Sequence, residues 1–226
     1  MQLGRLDHVF PSPRCCNSSF SCSPGSRSRT HSSSSISNAG RGKSSRHHRR
    51  PNIVLTALRN DFYLPLVKSL VCTFRISNPG IEFAVATVDG DLNSTSIQTI
   101  REELNLKIFY WSDIQFVNKK SPRFALNWVR IRAWEMEQYE SILLVDADTV
   151  ILGDIRHLFA LPTAFATVLD QDKTSPKFSS LGRMQGGVIL LRPCAAVADH
   201  MISLLDQYEY LRFTHGHAEQ SFFDWS

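Results

Sequence analysis

Asp146 and Asp148 are the residues of this sequence whose type and spacing most directly suggest chemistry. They follow four apolar residues, Ile142–Val145, so a buried strand is predicted to end where the two carboxylates begin. Alternate residues of an extended segment point to the same side, so the two carboxylates can converge on one point. Because like charges repel unless a cation separates them, the pair is a candidate Mg²⁺ or Mn²⁺ site. The simpler alternative is two unrelated loop acids, one of which caps a helix or a turn.

Two classes of enzyme carry an Asp-x-Asp sequence after a buried strand. In haloacid-dehalogenase-like phosphohydrolases the motif is followed by Thr or Val, as it is here, but it lies on the first strand of the domain. In this sequence residues 51–145 precede the pair, and apart from Asp170-Gln171-Asp172 no later lysine and paired-acid motif is evident. In nucleotide-sugar glycosyltransferases the pair holds a metal against the donor diphosphate, and a nucleotide-binding α/β half comes first. The order of the segments favours the second class.

The segments that must position the pair alternate between strands and helices. Strands are predicted over residues 53–58, 82–88, 107–111, 141–145 and 186–191, with a further extended piece over 149–152; helices are predicted over residues 63–73, 96–104, 124–139 and 195–208. This alternation indicates an α/β domain whose central sheet is largely parallel. In such sheets ligands collect at the carboxyl ends of the strands, which is where the two aspartates are expected.

Five motifs occur in order along the chain and give a family resemblance. They are Asn60-Asp61-Phe62-Tyr63, a helix with Arg130 that ends in Ala133-Trp134-Glu135, Asp146-Ala147-Asp148 with the following Asp154-Ile155-Arg156-His157-Leu158-Phe159, Gln185-Gly186-Gly187-Val188, and Glu219-Gln220-Ser221-Phe222-Phe223. From about Pro51 onward the sequence resembles glycosyltransferase family 8, the glycogenin- and galactinol-synthase-like enzymes. The resemblance implies a GT-A nucleotide-diphospho-sugar transferase fold, with a Rossmann-like, mostly parallel central sheet flanked by helices.

The resemblance also implies an activity and a role for each motif. The expected enzyme is a metal-dependent hexosyltransferase that moves a hexose from a UDP-sugar to an acceptor, with retention of the anomeric configuration. Asp146 and Asp148 would hold Mn²⁺ (or Mg²⁺) against the diphosphate, with Ala147 between them in the donor site. The other expected donor-binding residues are Thr56, Asn60 and Tyr63 around the uracil and ribose, Arg130 as a cationic helper, and Gln185, Gly186 and Gly187 near the sugar. The expected catalytic residues are Glu219 and Gln220, which would flank the transferring sugar.

Simpler interpretations of some of these residues stay open. Asn60 or Asp61 could cap the following helix, and Arg130 could be a plain surface charge. Gln185 stands where family members often have Asn, and Glu219 stands where Asp is usual. The acceptor is not identified by any motif and could be a glycan, a polyol, a lipid or a protein.

The net charge of +4 is unevenly distributed. Residues 1–50 hold nine Lys or Arg, one acidic residue and fourteen serines, whereas residues 51–226 carry an excess of acids. The first segment is therefore predicted to be a disordered, basic, Ser/Arg-rich leader, and residues 51–226 the glycosyltransferase domain. The leader resembles an organellar transit peptide, and the alternatives are an untargeted tail of a cytoplasmic protein or a mistaken gene start. No nucleic-acid binding is expected of the acidic domain, and no apolar run is long enough to span a membrane.

Family members continue to a His-x-x-Gly-x-x-Lys-Pro-Trp-like segment, whose His completes the metal site and whose Lys meets the phosphate. This sequence contains no such segment. We therefore expect the domain to be incomplete at its carboxyl end, as a fragment of a longer protein. A non-catalytic sugar-nucleotide-binding fragment is the alternative function.

Overall fold

The computed structural model describes residues 3–4, 50–114, 122–170 and 183–205. Its strands are β1 (Leu3–Gly4), β2 (Asn52–Ala57), β3 (Glu82–Val88), β4 (Lys107–Trp111), β5 (Ser141–Val145), β6 (Phe165–Asp170) and β7 (Arg183–Leu191). Its α-helices are α1 (Leu64–Ser77), α2 (Ser94–Gln98), α3 (Arg156–Phe159) and α4 (Ala195–Leu205). Two 3₁₀ helices, Asp61–Tyr63 and Pro122–Glu135, and one π-helix, Thr99–Glu103, complete the described elements.

The strands form one sheet in the order β1-β6-β7-β5-β2-β3-β4. Strands β5, β2, β3 and β4 run parallel to one another; β7 is antiparallel to β5, and β6 is antiparallel to β7. The predicted α/β class with flanking helices is confirmed, and the predicted parallel order holds for the part of the sheet that carries the candidate residues. Of the leader, the structure describes only the two-residue strand β1, which pairs with β6, and Arg50; its other residues lie outside the described ranges.

The central strands are apolar on both faces because helices cover both sides of the sheet. Ile53 and Leu55 pack into one core with the 3₁₀ helix Pro122–Glu135 and α4, while Val54, between them, faces the core under α1. All five residues of β5 are buried. Continuous apolar runs of this kind are typical of parallel strands, and each fully buried aliphatic side chain contributes about 1.5–3 kcal/mol.

Parallel pairing brings the carboxyl ends of β2, β3, β4 and β5 to one edge of the sheet. Leu55 of β2 lies opposite Leu144 of β5 in the register, so the residues that follow the two strands are neighbours. The segment after β2 carries Asn60, and the segment after β5 carries Asp146. The fold therefore places two of the predicted motifs at the same edge, as expected for ligand sites of such sheets.

Three predicted elements differ from the structure. The helix predicted over 124–139 is a 3₁₀ helix that ends at Glu135, because residues 136–140 turn back and the Glu140 amide donates to the Pro51 carbonyl at 2.9 Å. The extended piece predicted over 149–152 forms no strand, because its first amide, that of Thr149, closes a turn onto the Asp146 carbonyl. The helix predicted over 96–104 divides into α2 and the π-helix.

The remaining boundaries lie close to the predicted ones, and β6 was not predicted. Residues 206–208, the last turn of the predicted final helix, lie outside the described residues. No helix in the described ranges is long and apolar enough to cross a lipid bilayer.

Candidate functional site

A cleft of about 560 Å³ opens at the carboxyl edge of the parallel strands. Its walls come from the segments after β2 and β5 and from the 3₁₀ helix Pro122–Glu135. Six of the twelve residues predicted for the site line it: Asn60, Tyr63, Arg130, Asp146, Ala147 and Asp148. The cleft also has four lining residues that were not predicted: Ala57, Leu58, Arg59 and Asn127.

Asp146 is the better anchored of the two aspartates. Its amide donates to the Gly187 carbonyl at 2.9 Å, and its Oδ1 lies 3.1 Å from Nη1 of Arg130. Burial raises the pKa of the Asp146 carboxyl above its usual value, Arg130 lowers that pKa in part, and the Asp148 carboxylate raises it again. The contribution from Asp148 means that the two carboxylates are close enough to repel each other, as the spacing predicts. Asp148 itself is exposed at the cleft.

Arg130 connects Asp146 to the segment around Gly186. Its side chain is only 6% exposed, its Nη1 pairs with Asp146, and its Nη2 donates to the Gly186 carbonyl at 2.6 Å. A guanidinium with two such contacts holds the carboxylate in a fixed orientation, because both bonds come from one rigid planar group. The interpretation of Arg130 as a plain surface charge is therefore wrong.

The Gln185–Gly187 segment of β7 lies against Asp146. The Gly187 amide donates to Oε1 of Gln185 at 2.7 Å. A Cβ atom on Gly187 would lie 2.8 Å from Nε2 of Gln185 and 3.1 Å from Oδ2 of Asp146, so only glycine fits without a shift. The close backbone approach predicted at this segment is present at Gly187, and Gly186 contributes its carbonyl to Arg130. Gln185, Gly186 and Gly187 do not line the cleft themselves. They support Asp146, which does line it.

Replacing Gly187 with alanine should displace the Gln185 amide and push on the Asp146 carboxylate. We expect the rate of donor turnover to fall about tenfold or more, because small displacements of reacting groups carry large kinetic costs. The control is Gly153→Ala, since a Cβ atom at Gly153 would meet no atom within 4 Å. Equal turnover in the two variants would show that the contact between Gly187 and Asp146 has no functional weight.

Asn60 and Tyr63 line the cleft from the segment that follows β2. Asn60 caps the 3₁₀ helix Asp61–Tyr63, with its Oδ1 accepting from the Phe62 amide at 3.1 Å, so the capping interpretation is confirmed together with its place in the cleft. The Tyr63 ring is 42% exposed and contacts the Phe62 ring edge to face at 5.4 Å. A ring presented in this way is available for stacking on a planar ligand.

Thr56 does not reach the cleft. Its side chain is completely buried in β2, and its hydroxyl has no hydrogen-bond partner among the described residues. Glu219 and Gln220, the predicted catalytic residues, lie outside the described residues. Their roles stay predictions.

Arg59 is the main lining residue that the sequence analysis missed. It directly precedes Asn60, and its guanidinium pairs with Asp91 and, at 2.8 Å, with Asp113. These partners lie 32 and 54 residues further along the chain, so no local spacing signals the cluster.

The comparison with known families decides between the enzyme classes left open by the aspartate pair. Residues 57–188 match the sequence profile of Glycosyl transferase family 8, and this match covers more than half of the chain. The chain belongs to glycosyltransferase family 8. The matched range includes every candidate site residue of the described structure except Thr56, which directly precedes it.

Solved structures with a similar fold are also glycosyltransferases. The galactosyltransferase LgtC, solved in complex with donor and acceptor sugar analogues, is 14% identical, with a TM-score of 0.55 over 75% of this chain and 68% of its own. An active-site mutant of LgtC gives 12% identity and a TM-score of 0.56 over the same shares. GlyE of Streptococcus pneumoniae TIGR4 is 16% identical, with a TM-score of 0.54 over 77% of this chain, which spans only 42% of the GlyE chain. A search of curated proteins finds no match.

At these identities the structural likeness shows the fold alone. The GT-A fold implied by the sequence resemblance is thereby confirmed for this member of family 8. The phosphohydrolase alternative is wrong, because the family match spans the Asp-Ala-Asp motif and the strands before it.

The aspartate pair of this family 8 domain fits a hard divalent cation that is shared with a phosphate ligand. Carboxylate oxygens suit Mg²⁺ and Mn²⁺, and one or two carboxylates are sufficient when substrate phosphates complete the coordination. Over the described ranges, no group of three His, Cys, Asp or Glu side chains is placed to hold a metal on its own.

A buried asparagine anchors the loop that follows the aspartates. Asn78, only 1% exposed at the end of α1, donates from Nδ2 to the Gly153 carbonyl at 3.0 Å. Its Oδ1 accepts from the Ile155 amide at 2.9 Å. Thr73 of α1 contributes a longer hydrogen bond, in which its Oγ1 accepts from the Ile151 amide at 3.3 Å. The loop after Asp148 is thus held mainly through a single amide side chain.

Replacing Asn78 with leucine should cost about 2–4 kcal/mol of the free energy of unfolding. The reason is that a backbone carbonyl and a backbone amide would both lose their partner in a partly buried setting. Urea unfolding followed by circular dichroism measures the loss. Thr73→Ala, which removes the 3.3 Å bond to Ile151 and the 3.0 Å bond from the Thr73 hydroxyl to the Leu70 carbonyl, serves as the comparison and should cost clearly less. Equal losses in the two variants would contradict the anchoring role of Asn78.

Proposed function

We propose that this family 8 protein transfers a hexose from a UDP-sugar to an acceptor, with retention of the anomeric configuration. The proposal includes a divalent cation, Mn²⁺ or Mg²⁺, held by Asp146 and Asp148. The observation that carries it is the meeting of the aspartate pair and the Asn60–Tyr63 motif in one cleft of about 560 Å³. The aspartate pair suits a diphosphate with its cation, and the Asn60–Tyr63 motif suits a nucleoside. A nucleotide-sugar contains both of these groups.

One part of the cleft suits a nucleoside. The Tyr63 ring offers a face or edge for a base, and the Asn60 side chain offers an amide for hydrogen bonds, while Leu58 and Ala57 provide apolar contact. The sequence resemblance assigns this motif to the uracil and ribose. A planar base, stacked and hydrogen-bonded, is the ligand group that these residue types recognise.

The other part of the cleft suits a diphosphate with its cation. Two carboxylates alone would repel phosphates, so a cation is needed between them and the donor. A cation bound there would act as a Lewis acid that neutralises the charge developing on the departing nucleoside diphosphate. Arg130 keeps Asp146 oriented from the buried side, and the exposed Asp148 faces the solvent side of the cleft.

The neighbouring structures agree with this proposal at the level of fold. LgtC, which was solved in complex with donor and acceptor sugar analogues, has a similar fold. The acceptor of the present chain is left as a class: a glycan, a polyol, a lipid or a protein. Glu219 and Gln220 are proposed to flank the transferring sugar.

Release of UDP from a panel of UDP-hexoses tests the function. The full chain is incubated with UDP-glucose or UDP-galactose and MnCl₂, with water or simple sugars as acceptors, and UDP is measured by a coupled assay. The proposal expects UDP release that stops when EDTA removes the cation and resumes when MnCl₂ is restored. Tight UDP binding with no turnover of any UDP-hexose would support the non-catalytic alternative instead and would overturn the transferase.

A further inference from the structure

A cluster of one arginine and two aspartates lies at the carboxyl ends of β2, β3 and β4, on the side of β2 that faces away from β5 and Asp146. The Arg59 side chain is 9% exposed, and its Nε pairs with Asp91 while its Nη1 donates to Oδ1 of Asp113 at 2.8 Å. The two aspartates are 21% and 33% exposed, so the ion pairs are largely shielded from water. Shielding of this kind gives a charge-assisted pair more weight than an exposed surface pair has.

The three members of the cluster come from three neighbouring strand ends. Arg59 follows β2, Asp91 follows β3 and Asp113 follows β4. These strands are adjacent and parallel, so their carboxyl ends meet at the edge that holds the cleft. A further bond in the same region joins the Asn93 amide to Oδ1 of Asp61 at 3.2 Å. One guanidinium therefore ties together the segments after three neighbouring strands, and the bond between Asn93 and Asp61 adds a second link between two of them.

The charge of the cluster decides what Arg59 can do. Asp91 and Asp113 contact the Arg59 guanidinium through Nε and Nη1, and their two carboxylates offset its positive charge. A guanidinium held in this way attracts a phosphate weakly, although Arg59 itself lines the cleft. A neutral ligand group, held by stacking and hydrogen bonds, is compatible with this end. Its immediate neighbour Asn60 and the nearby Tyr63 have that chemistry.

We infer that Arg59 is a positioning residue that fixes the nucleoside end of the donor cleft. It acts through Asp91 and Asp113, which hold the segment after β2 in place, so that Asn60 and Tyr63 meet the base and ribose in a fixed arrangement. This inference rests on the proposed function, because it assumes that a nucleoside binds at this end. It differs from a role as a phosphate-binding cation, which the presence of an arginine in the cleft would otherwise suggest.

Calorimetric titration of the full chain with uridine, UMP and UDP, all with MnCl₂, separates these roles. We expect Arg59→Met to weaken the binding of all three ligands by the same factor, about tenfold or more. The reason is that all three contain the nucleoside, whose contacts with the protein are lost. Asp148→Asn should weaken the binding of UDP and leave the binding of uridine unchanged. Arg59→Lys and Asp113→Asn should weaken the binding of all three ligands by factors that are smaller and again equal for the three. With these two further variants, the test does not depend on whether Arg59→Met folds. In the UDP-release assay, KM for the donor should rise more than kcat falls.

The control is Lys68→Met. Lys68 lies on α1 and forms an exposed ion pair with Glu103 of the π-helix, and the substitution removes its charge. It should leave all three affinities unchanged. Wild-type affinity for the three ligands in every Arg59 and Asp113 variant would overturn the inference while leaving the proposed function intact. Loss of UDP affinity alone in Arg59→Met would overturn it in favour of a phosphate contact. If the wild-type chain binds none of the three ligands, the proposed function fails, and the inference fails with it.

Discussion

Asp148→Asn should lower the rate of UDP-sugar turnover by at least about a hundredfold, while the protein keeps its fold. The substitution preserves the shape of the side chain but removes one of the two negative charges that the proposed cation needs. Loss of a Lewis-acid contribution of several kcal/mol corresponds to a rate loss of this size or larger. Asp148 is exposed, so the free energy of unfolding should change by no more than about 0.5 kcal/mol.

Steady-state kinetics over a range of MnCl₂ concentrations measure this effect. The matched control is Asp154→Asn, which removes a carboxylate six residues further along, from an exposed pair with Arg156. That variant should retain wild-type turnover and the same dependence on Mn²⁺. An Asp148→Asn protein with unchanged turnover would contradict the assignment of Asp148 to the cation.

Arg130→Met should reduce both turnover and stability. The methionine fills part of the volume but leaves the Asp146 carboxylate and the Gly186 carbonyl without their shared donor. Because Asp146 is 43% exposed and can be partly hydrated, we expect a loss of about 2–3 kcal/mol rather than the full cost of a buried charge. For a chain of this size that loss lowers Tm by roughly 4–12 °C. Turnover should fall about a hundredfold, since Asp146 is no longer held in one orientation.

The control for Arg130 lies two residues away on the same 3₁₀ helix. Arg132 pairs with the partly exposed Glu135 and donates from Nε to the Ser112 carbonyl at 3.2 Å, and its side chain is 20% exposed. Arg132→Met should cost at most about 1 kcal/mol and leave turnover unchanged. Thermal unfolding and UDP release, measured on the two variants in parallel, test the pair. A similar loss of turnover in both would show that the helix as a whole, rather than the contact with Asp146, is responsible.

The strands that position the site could be predicted from sequence because burial on both faces leaves a strong signal. Residues 82–88, 107–111 and 141–145 have the predicted bounds in the structure. Strand β6 was not predicted, and its pairing with β7 contains a register shift between Thr167 and Val168. The 3₁₀ geometry of residues 122–135 was also missed, since apolar spacing predicts a helix but not its hydrogen-bond pattern.

The candidate site shows the same division between local and long-range information. The two aspartates and Asn60 could be identified because short motifs carry them. The pairing of Arg130 with Asp146, and the glycine approach at Gly187, depend on how β5, β7 and the 3₁₀ helix pack. Thr56 was expected at the donor, but it lies on the buried part of β2, a difference that depends on where the strand ends. A single sequence contains no signal for such placements.

Calorimetric titration of UDP into the full chain, with MnCl₂ and with EDTA, is the most direct test of the central claim. The claim is that Asp146 and Asp148 hold a divalent cation against the diphosphate of a uridine nucleotide. It predicts that Mn²⁺ tightens UDP binding at least about tenfold, that uridine binding is insensitive to Mn²⁺, and that Asp148→Asn abolishes the difference. UDP affinity that is equal with Mn²⁺ and with EDTA, or no UDP binding in either condition, would contradict it.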